Sequence, residues 1–146
     1  MAADQKIEDI AMKTVHILRS LQVALTGAAL TCGAPSAFAD IKNYEFKLVE
    51  PTVATGPDQT IAVRLVDKTT GRPVPDAVIF ATRLDMAPDG MQEMATKIVP
   101  VPAAEPGTYQ FKATFGMAGR WQLSLAAKAQ GETGTIENKL VIQAGK

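Results

Sequence analysis

Cysteine and histidine are almost absent from this 146-residue chain: it holds one of each, Cys32 and His16, and both lie in its first 39 residues. Whatever is built from residue 40 onward has no disulfide, no thiolate and no imidazole. Burial alone must hold such a fold together, and nucleophile pairs of the Cys–His or Ser–His kind are excluded. The only serine after residue 39 is Ser124, in the middle of an alternating run. Net charge is lacking too. With 15 basic and 15 acidic residues, nothing in the overall field draws the chain to nucleic acid or to an anionic membrane surface. There is no glycine-rich phosphate loop between a strand and a helix. The residues point away from an enzyme.

A long hydrophobic run is missing as well. The apolar stretch Leu21 to Leu30 is shorter than the roughly 18 to 20 residues needed to span a bilayer. Its surroundings are those of a secretory signal peptide: "MKTVHILRSLQVALTGAALTCGAPSAFA" from Met12 has Lys13 and Arg19, then the apolar run, then Ala37-Phe38-Ala39. Residues 1–39 are therefore expected to be a signal peptide, cleaved between Ala39 and Asp40, and the protein to be periplasmic or secreted. Asp4, Glu8 and Asp9 carry the wrong sign for a signal start, which makes Met12 a candidate for the true start. Before Cys32, Ala29 and Thr31 stand where a lipid-anchor site wants a leucine three residues back and a small residue immediately before the cysteine. Residues 40–146 remain, with 12 basic and 12 acidic side chains, a comfortable size for one domain.

From Asp40 onward, short alternating runs are separated by turn residues about every ten positions, the pattern of an all-β sandwich. One face is shared by Tyr44, Phe46 and Leu48; another by Ile61, Val63 and Leu65, with Arg64 turned away. In "AVIFATRLDM" the parity places Val78, Phe80, Leu84 and Met86 together, interrupted by Thr82, with Arg83 and Asp85 opposite. Ile98 and Val99 form a short or edge strand because of Pro100 and Pro102. Tyr109, Phe111, Ala113 and Phe115 point inward, as do Trp121, Leu123 and Leu125, and Ile136, Leu140 and Ile142 in the last run. The expectation is an immunoglobulin-like, seven-stranded antiparallel β-sandwich forming one module over residues 40–146.

Methionine is unevenly spread: "LDMAPDGMQEM", residues 84–94, holds Met86, Met91 and Met94, and Met117 is the only other one after Met12. In an up-and-down order of seven strands, the turn after the third and the turn after the fifth lie at one end, which brings Met117 to the other three. Parity turns Met86 and Met117 inward at the mouth of the core. "APDG" suits a type I turn, with proline second and glycine fourth. If Ala87 and Gly90 close it, Met86 and Met91 are directly opposed, with Cβ atoms roughly 4.5 to 5.5 Å apart. Met94 is less well defined, facing away on a strand and the same way on a helical turn. Ordinary core packing is the plainer reading of Met86 or Met117 taken singly; the grouping is what asks for more.

Neutral, soft thioethers favour Cu(I), and Ag(I) as its mimic, over Zn(II), Cu(II) or hard ions. They do not drift into disulfides, and they carry no proton whose loss binding would require. Met86, Met91 and Met117 are the candidate ligands, with Met94 weaker. Trp121 could cap a bound ion with its indole face, although packing is the commoner role of a sandwich tryptophan. Asp85, Asp89 and Glu93 among them could add a negative field that draws a cation to the loop, but solvated turn charges are the plainer reading, and their spacing does not match a calcium loop.

The order "TGRPVPDAVIFATRLDMAPDGM", then "EPGTYQFKATFGMAGRW", then "QLSLAAK" resembles the YtkA-like, or FixH-like, domain family. The resemblance covers nearly all of residues 40–146. It implies an exported immunoglobulin-like sandwich working beside heavy-metal efflux or oxidase-maturation proteins as partners, with copper or silver handling. The positions that carry it are Met86, Met91, Met94 and Met117 with the turn glycines Gly71, Gly90, Gly107 and Gly119. Two functions follow: a Cu(I)/Ag(I)-binding protein that buffers or transfers the ion, or a non-metal interaction module whose methionine loop docks on a membrane complex or efflux system.

Overall fold

The computed structural model describes residues 41–146. The expected signal peptide, with His16 and Cys32, lies outside the described residues.

A short 3-10 turn, Ile41–Asn43, leads into nine strands: β1 Tyr44–Leu48, β2 Thr52–Ala54, β3 Gly56–Asp67, β4 Val78–Met86, β5 Met91–Thr96, β6 Ile98–Val101, β7 Thr108–Phe115, β8 Gly119–Lys128 and β9 Ile136–Gly145. They form two sheets, β1-β3-β7-β6 and β2-β9-β8-β4-β5. The all-β sandwich stands, but with nine strands among the described residues rather than seven. It is also not wholly antiparallel, because β2 runs parallel to β9. The two additional strands are rim pieces. β2 is three residues long, and Met91 to Ala95 of β5 are all exposed. β2 is too short to display a period, though Val53 packs against the core, and β5 buries neither face along most of its length and so has no reason to alternate.

The core lies where the alternation puts it. Phe46, Ile61, Val63, Leu65, Phe111, Phe115, Trp121, Leu123, Leu125 and Ile142 are buried between the sheets. Each large apolar side chain moved from water contributes about 1.5–3 kcal/mol before the entropy of ordering is set against it. Two polar contacts add register. The Phe46 N–H on β1 donates to Asn138 Oδ1 on β9, 3.0 Å across the sandwich. Tyr109 O–H donates to the Val74 carbonyl at 3.0 Å while its oxygen accepts from the Ala77 N–H at 2.9 Å, which pins the proline-rich segment before β4.

One face assignment needs correction. A bulge between Ile79 and Ala81 in the β4–β8 ladder shifts the phase of β4. Phe80, expected inward, is exposed along with Val78. Ile79 and Thr82 instead face the core, opposite Ala127 and Leu125. Thr82 thus does not interrupt the inner stripe; Phe80 leaves it. An extra residue inserted into one strand reverses parity beyond it, and this one sits where the alternation looked faulty.

Candidate metal centre

Residues 87–90 fold as the turn chemistry asks. Ala87–Asp89 is a single 3-10 turn, with proline at one of its first two positions and Gly90 in the left-handed region at φ 75°. Its N–H donates to the Ala87 carbonyl at 2.9 Å. Met86 and Met91 are therefore directly opposed in the β4–β5 ladder, as the turn predicts. The next pair along is Asp85 with Ala95, so Gln92, Glu93 and Met94 bulge out of register between the two pairs. That places Met94 on a strand, in its irregular part.

The tip joining β7 to β8 packs against this turn. Gly119 has φ 144°, a conformation that an L side chain rarely adopts. A Cβ at that position would lie 2.6 Å from Met86 Cε and 2.9 Å from Asp89 Oδ2. The methyl of Met86 thus reaches the backbone two residues beyond Met117. Asp89 closes the junction: Oδ2 accepts from the Arg120 main-chain N–H at 2.7 Å and Oδ1 from Arg120 Nε at 2.8 Å, while Arg120 Nη2 donates to the Pro88 carbonyl at 2.9 Å. The two tips meet at a common pole, as strand order predicts even after the strand count is corrected.

Burial divides the four methionines. Met86 is 1% exposed, whereas Met91, Met94 and Met117 are 37%, 48% and 41% exposed. The inward parity expected of Met117 does not hold. The β7 strand ends at Phe115, residues 116–118 form the connection, and alternation has no force outside a strand. Trp121 is 3% exposed and stacks edge-on against Phe115, with ring centroids 5.4 Å apart at 82°. Its indole N–H donates to the Met117 carbonyl at 3.2 Å. The tryptophan therefore holds Met117 from below by its main chain, with its ring among core side chains.

The acidic residues of this loop are not all solvated. Asp85 is buried; it pairs with Arg83 and accepts from the Ala87 N–H at 3.0 Å. Burial pushes its carboxyl up, but the Arg83 hydrogen bond and the Ala87 N–H outweigh that and hold it below the ordinary carboxylate value. The Arg120 main-chain N–H, followed by its guanidinium, likewise holds Asp89 low. Glu93 alone matches the solvated reading, being exposed. Arg83 and Arg120 organise the pole, and neither is singled out by the sequence; the clue available was an arginine next to a turn glycine, opposite an acidic turn.

The donor chemistry of the pole follows. Its two organised carboxylates are already taken by arginines, and no cluster of three or more His, Cys, Asp or Glu side chains stands at metal-binding spacing among the described residues. The thioethers of Met86, Met91, Met94 and Met117 are soft donors, of the kind that favours a soft monovalent ion.

A family model described as YtkA-like matches residues 38–126 of the chain. No curated protein matches it. Among solved structures the fold is similar to the Lin-41 filamin domain, with 16% identity, TM-score 0.43, and coverage of 70% of this chain and 92% of that one. It is similar to the ZirS C-terminal domain as well, with 15% identity, TM-score 0.43, and coverage of 73% and 68%.

Proposed function

The chain belongs to the YtkA-like family, and on that premise we propose that it is an exported protein that binds Cu(I) or Ag(I) through methionine thioethers and buffers or hands on the ion. One observation supports this above the rest: Met86 and Met91 are directly opposed across a turn that is welded to the tip carrying Met117. The four methionines come from two stretches, residues 84–94 and residue 117, whose tips are joined by Asp89 and Arg120, and this supports the reading.

The exposure gradient suits transfer. A fully enclosed site would hold its cargo, whereas thioethers at Met91, Met94 and Met117 that are a third to a half exposed let an incoming protein add its own sulfur before the first ligands let go. Metal-efflux or oxidase-assembly proteins are partners of the right chemistry. The ion is cargo and not a resident cofactor, and no catalytic step is assigned.

The test is calorimetric titration with Ag(I) of the chain carrying Cys32→Ser, His16→Gln and Met12→Leu, which removes the thiol, the imidazole and the internal thioether that lie before residue 40. Saturable binding is expected, and it should be lost when Met86, Met91 and Met117 are all replaced by isoleucine. Binding that survives the triple replacement, or none at the outset, disposes of the reading. The same exposure of Met91, Met94 and Met117 also favours a second reading, an adaptable apolar patch that docks on a partner without metal. In that case partner capture is indifferent to Cu(I) and survives the isoleucine replacements.

A further inference from the structure

The β4–β8 ladder stops at Asp85 opposite Gln122, although β8 starts at Gly119. From Trp121 back to Gly119 no β4 residue pairs with β8 in the ladder, and the Arg120 N–H on that edge takes its acceptor from elsewhere. Asp89 supplies it, its side-chain carboxylate standing where a strand carbonyl would stand. The Arg120 side chain then folds back over the same turn, onto Asp89 Oδ1 and the Pro88 carbonyl. Three hydrogen bonds thus replace the missing end of a ladder, and they join the segment between Met86 and Met91 to the segment just after Met117.

We infer that Asp89 and Arg120 are positioning residues of the methionine pole, a polar latch that keeps the Met117 tip in register with the Met86–Met91 turn; the inference rests on the soft-metal reading above. The latch is well placed for this task and poorly placed for stabilising the fold. Arg120 is exposed and its hydrogen bonds lie at the surface, where water replaces a lost partner at little cost. Freed, the Met117 main chain is still held by Trp121 and the Gly119 carbonyl by Gln143 Nε2 at 3.2 Å. What is lost is the register between the two tips. A thioether ligand set drawn from separate tips feels such a loss strongly, because supporting residues around metal sites commonly change affinity by about 10- to 100-fold.

The experiment follows the methionine methyl resonances of the full chain, labelled with 13C at Cε, during titration with Ag(I), alongside the affinity and the melting temperature. In the parent chain the methyls of Met86, Met91 and Met117 should shift together and saturate at the same ratio. In Arg120→Ala, with melting temperature and near-ultraviolet dichroism close to those of the parent, affinity should fall by about tenfold or more and the Met117 methyl should drop out of the concerted shift. Arg120→Lys, which like the alanine variant keeps the main-chain N–H on Asp89 but restores a positive charge without the fork, should lie between. Asp89→Asn gives the same comparison should Arg120→Ala fail to fold. A parent chain that responds to Ag(I), with variants that bind equally tightly and shift the same methyls, overturns the latch alone. A parent chain whose methyls ignore Ag(I) overturns the metal reading and the latch with it.

Discussion

Replacing Gly119 by alanine probes the contact on which the pole depends. The glycine adopts φ 144°, and holding a residue with a Cβ in such a sparsely populated conformation costs about 1–3 kcal/mol. The added methyl would also stand 2.6 Å from Met86 Cε and 2.9 Å from Asp89 Oδ2. Both are ends of flexible side chains and can yield, so the overpacking cost falls at the low end of about 1–3 kcal/mol. Together these give about 2–4 kcal/mol. For a domain of this length each kcal/mol corresponds to about 4–5 °C, so Gly119→Ala should lower the melting temperature by about 8–20 °C. Gly90→Ala is the control: it has positive φ but nothing within 4 Å of its Cβ, and only the left-handed penalty of about 1–2 kcal/mol applies. Thermal melts of the two variants by circular dichroism, at one pH and protein concentration, make the comparison. Equal losses would mean that the 116–119 tip does not press on Met86, and the described convergence of the two tips would have to be abandoned.

Other outcomes can be checked beside it. Met86→Ala should destabilise the domain by about 2–5 kcal/mol through the cavity it leaves, while Met91→Ala, at the rim, should stay within about 0.5 kcal/mol; denaturant melts separate them. Tyr109→Phe leaves the Val74 carbonyl and Ala77 N–H without their shared partner and should cost about 1–3 kcal/mol. Asp85 has a lowered folded-state pKa, so its stabilisation is fully present above the unfolded value of about 3.9 and disappears as pH falls through the folded value. Asp85→Asn should therefore flatten the loss of stability below about pH 4, and an unchanged acid slope would contradict that. Ag(I) affinity should be level between about pH 5 and 8, since thioethers give up no proton on binding; a steep rise with pH would point to different ligands.

Legibility in the sequence tracked burial. Tyr44, Phe46 and Leu48, the Ile61–Leu65 stripe, Phe111 to Phe115 and Trp121 to Leu125 face the core as their alternation says, because each strand has one face on the core and one toward water. The Ala87–Gly90 turn and its opposition of Met86 to Met91 were also readable, since proline and glycine restrict the backbone locally. Where a strand buries neither face, as in β5, the pattern fell silent. On the sequence Met94 accordingly has two orientations open to it, and Met117 faces inward only if an alternation is carried past the end of its strand.

From the order of residues alone came the sandwich, its core stripes, the meeting of the Met86–Met91 turn with the tip that carries Met117 and the poverty of every other soft donor from residue 40 onward; these depend on composition, strand order and local backbone preference. Only the folded chain decided that Phe80 leaves the core at a bulge, that Asp89 and Arg120 bind one another 31 positions apart, and that Met86 is buried while Met91, Met94 and Met117 stand at the rim. Those outcomes depend on which strands become neighbours and where each ladder ends, and such long-range pairings leave no periodic trace in the chain that makes them.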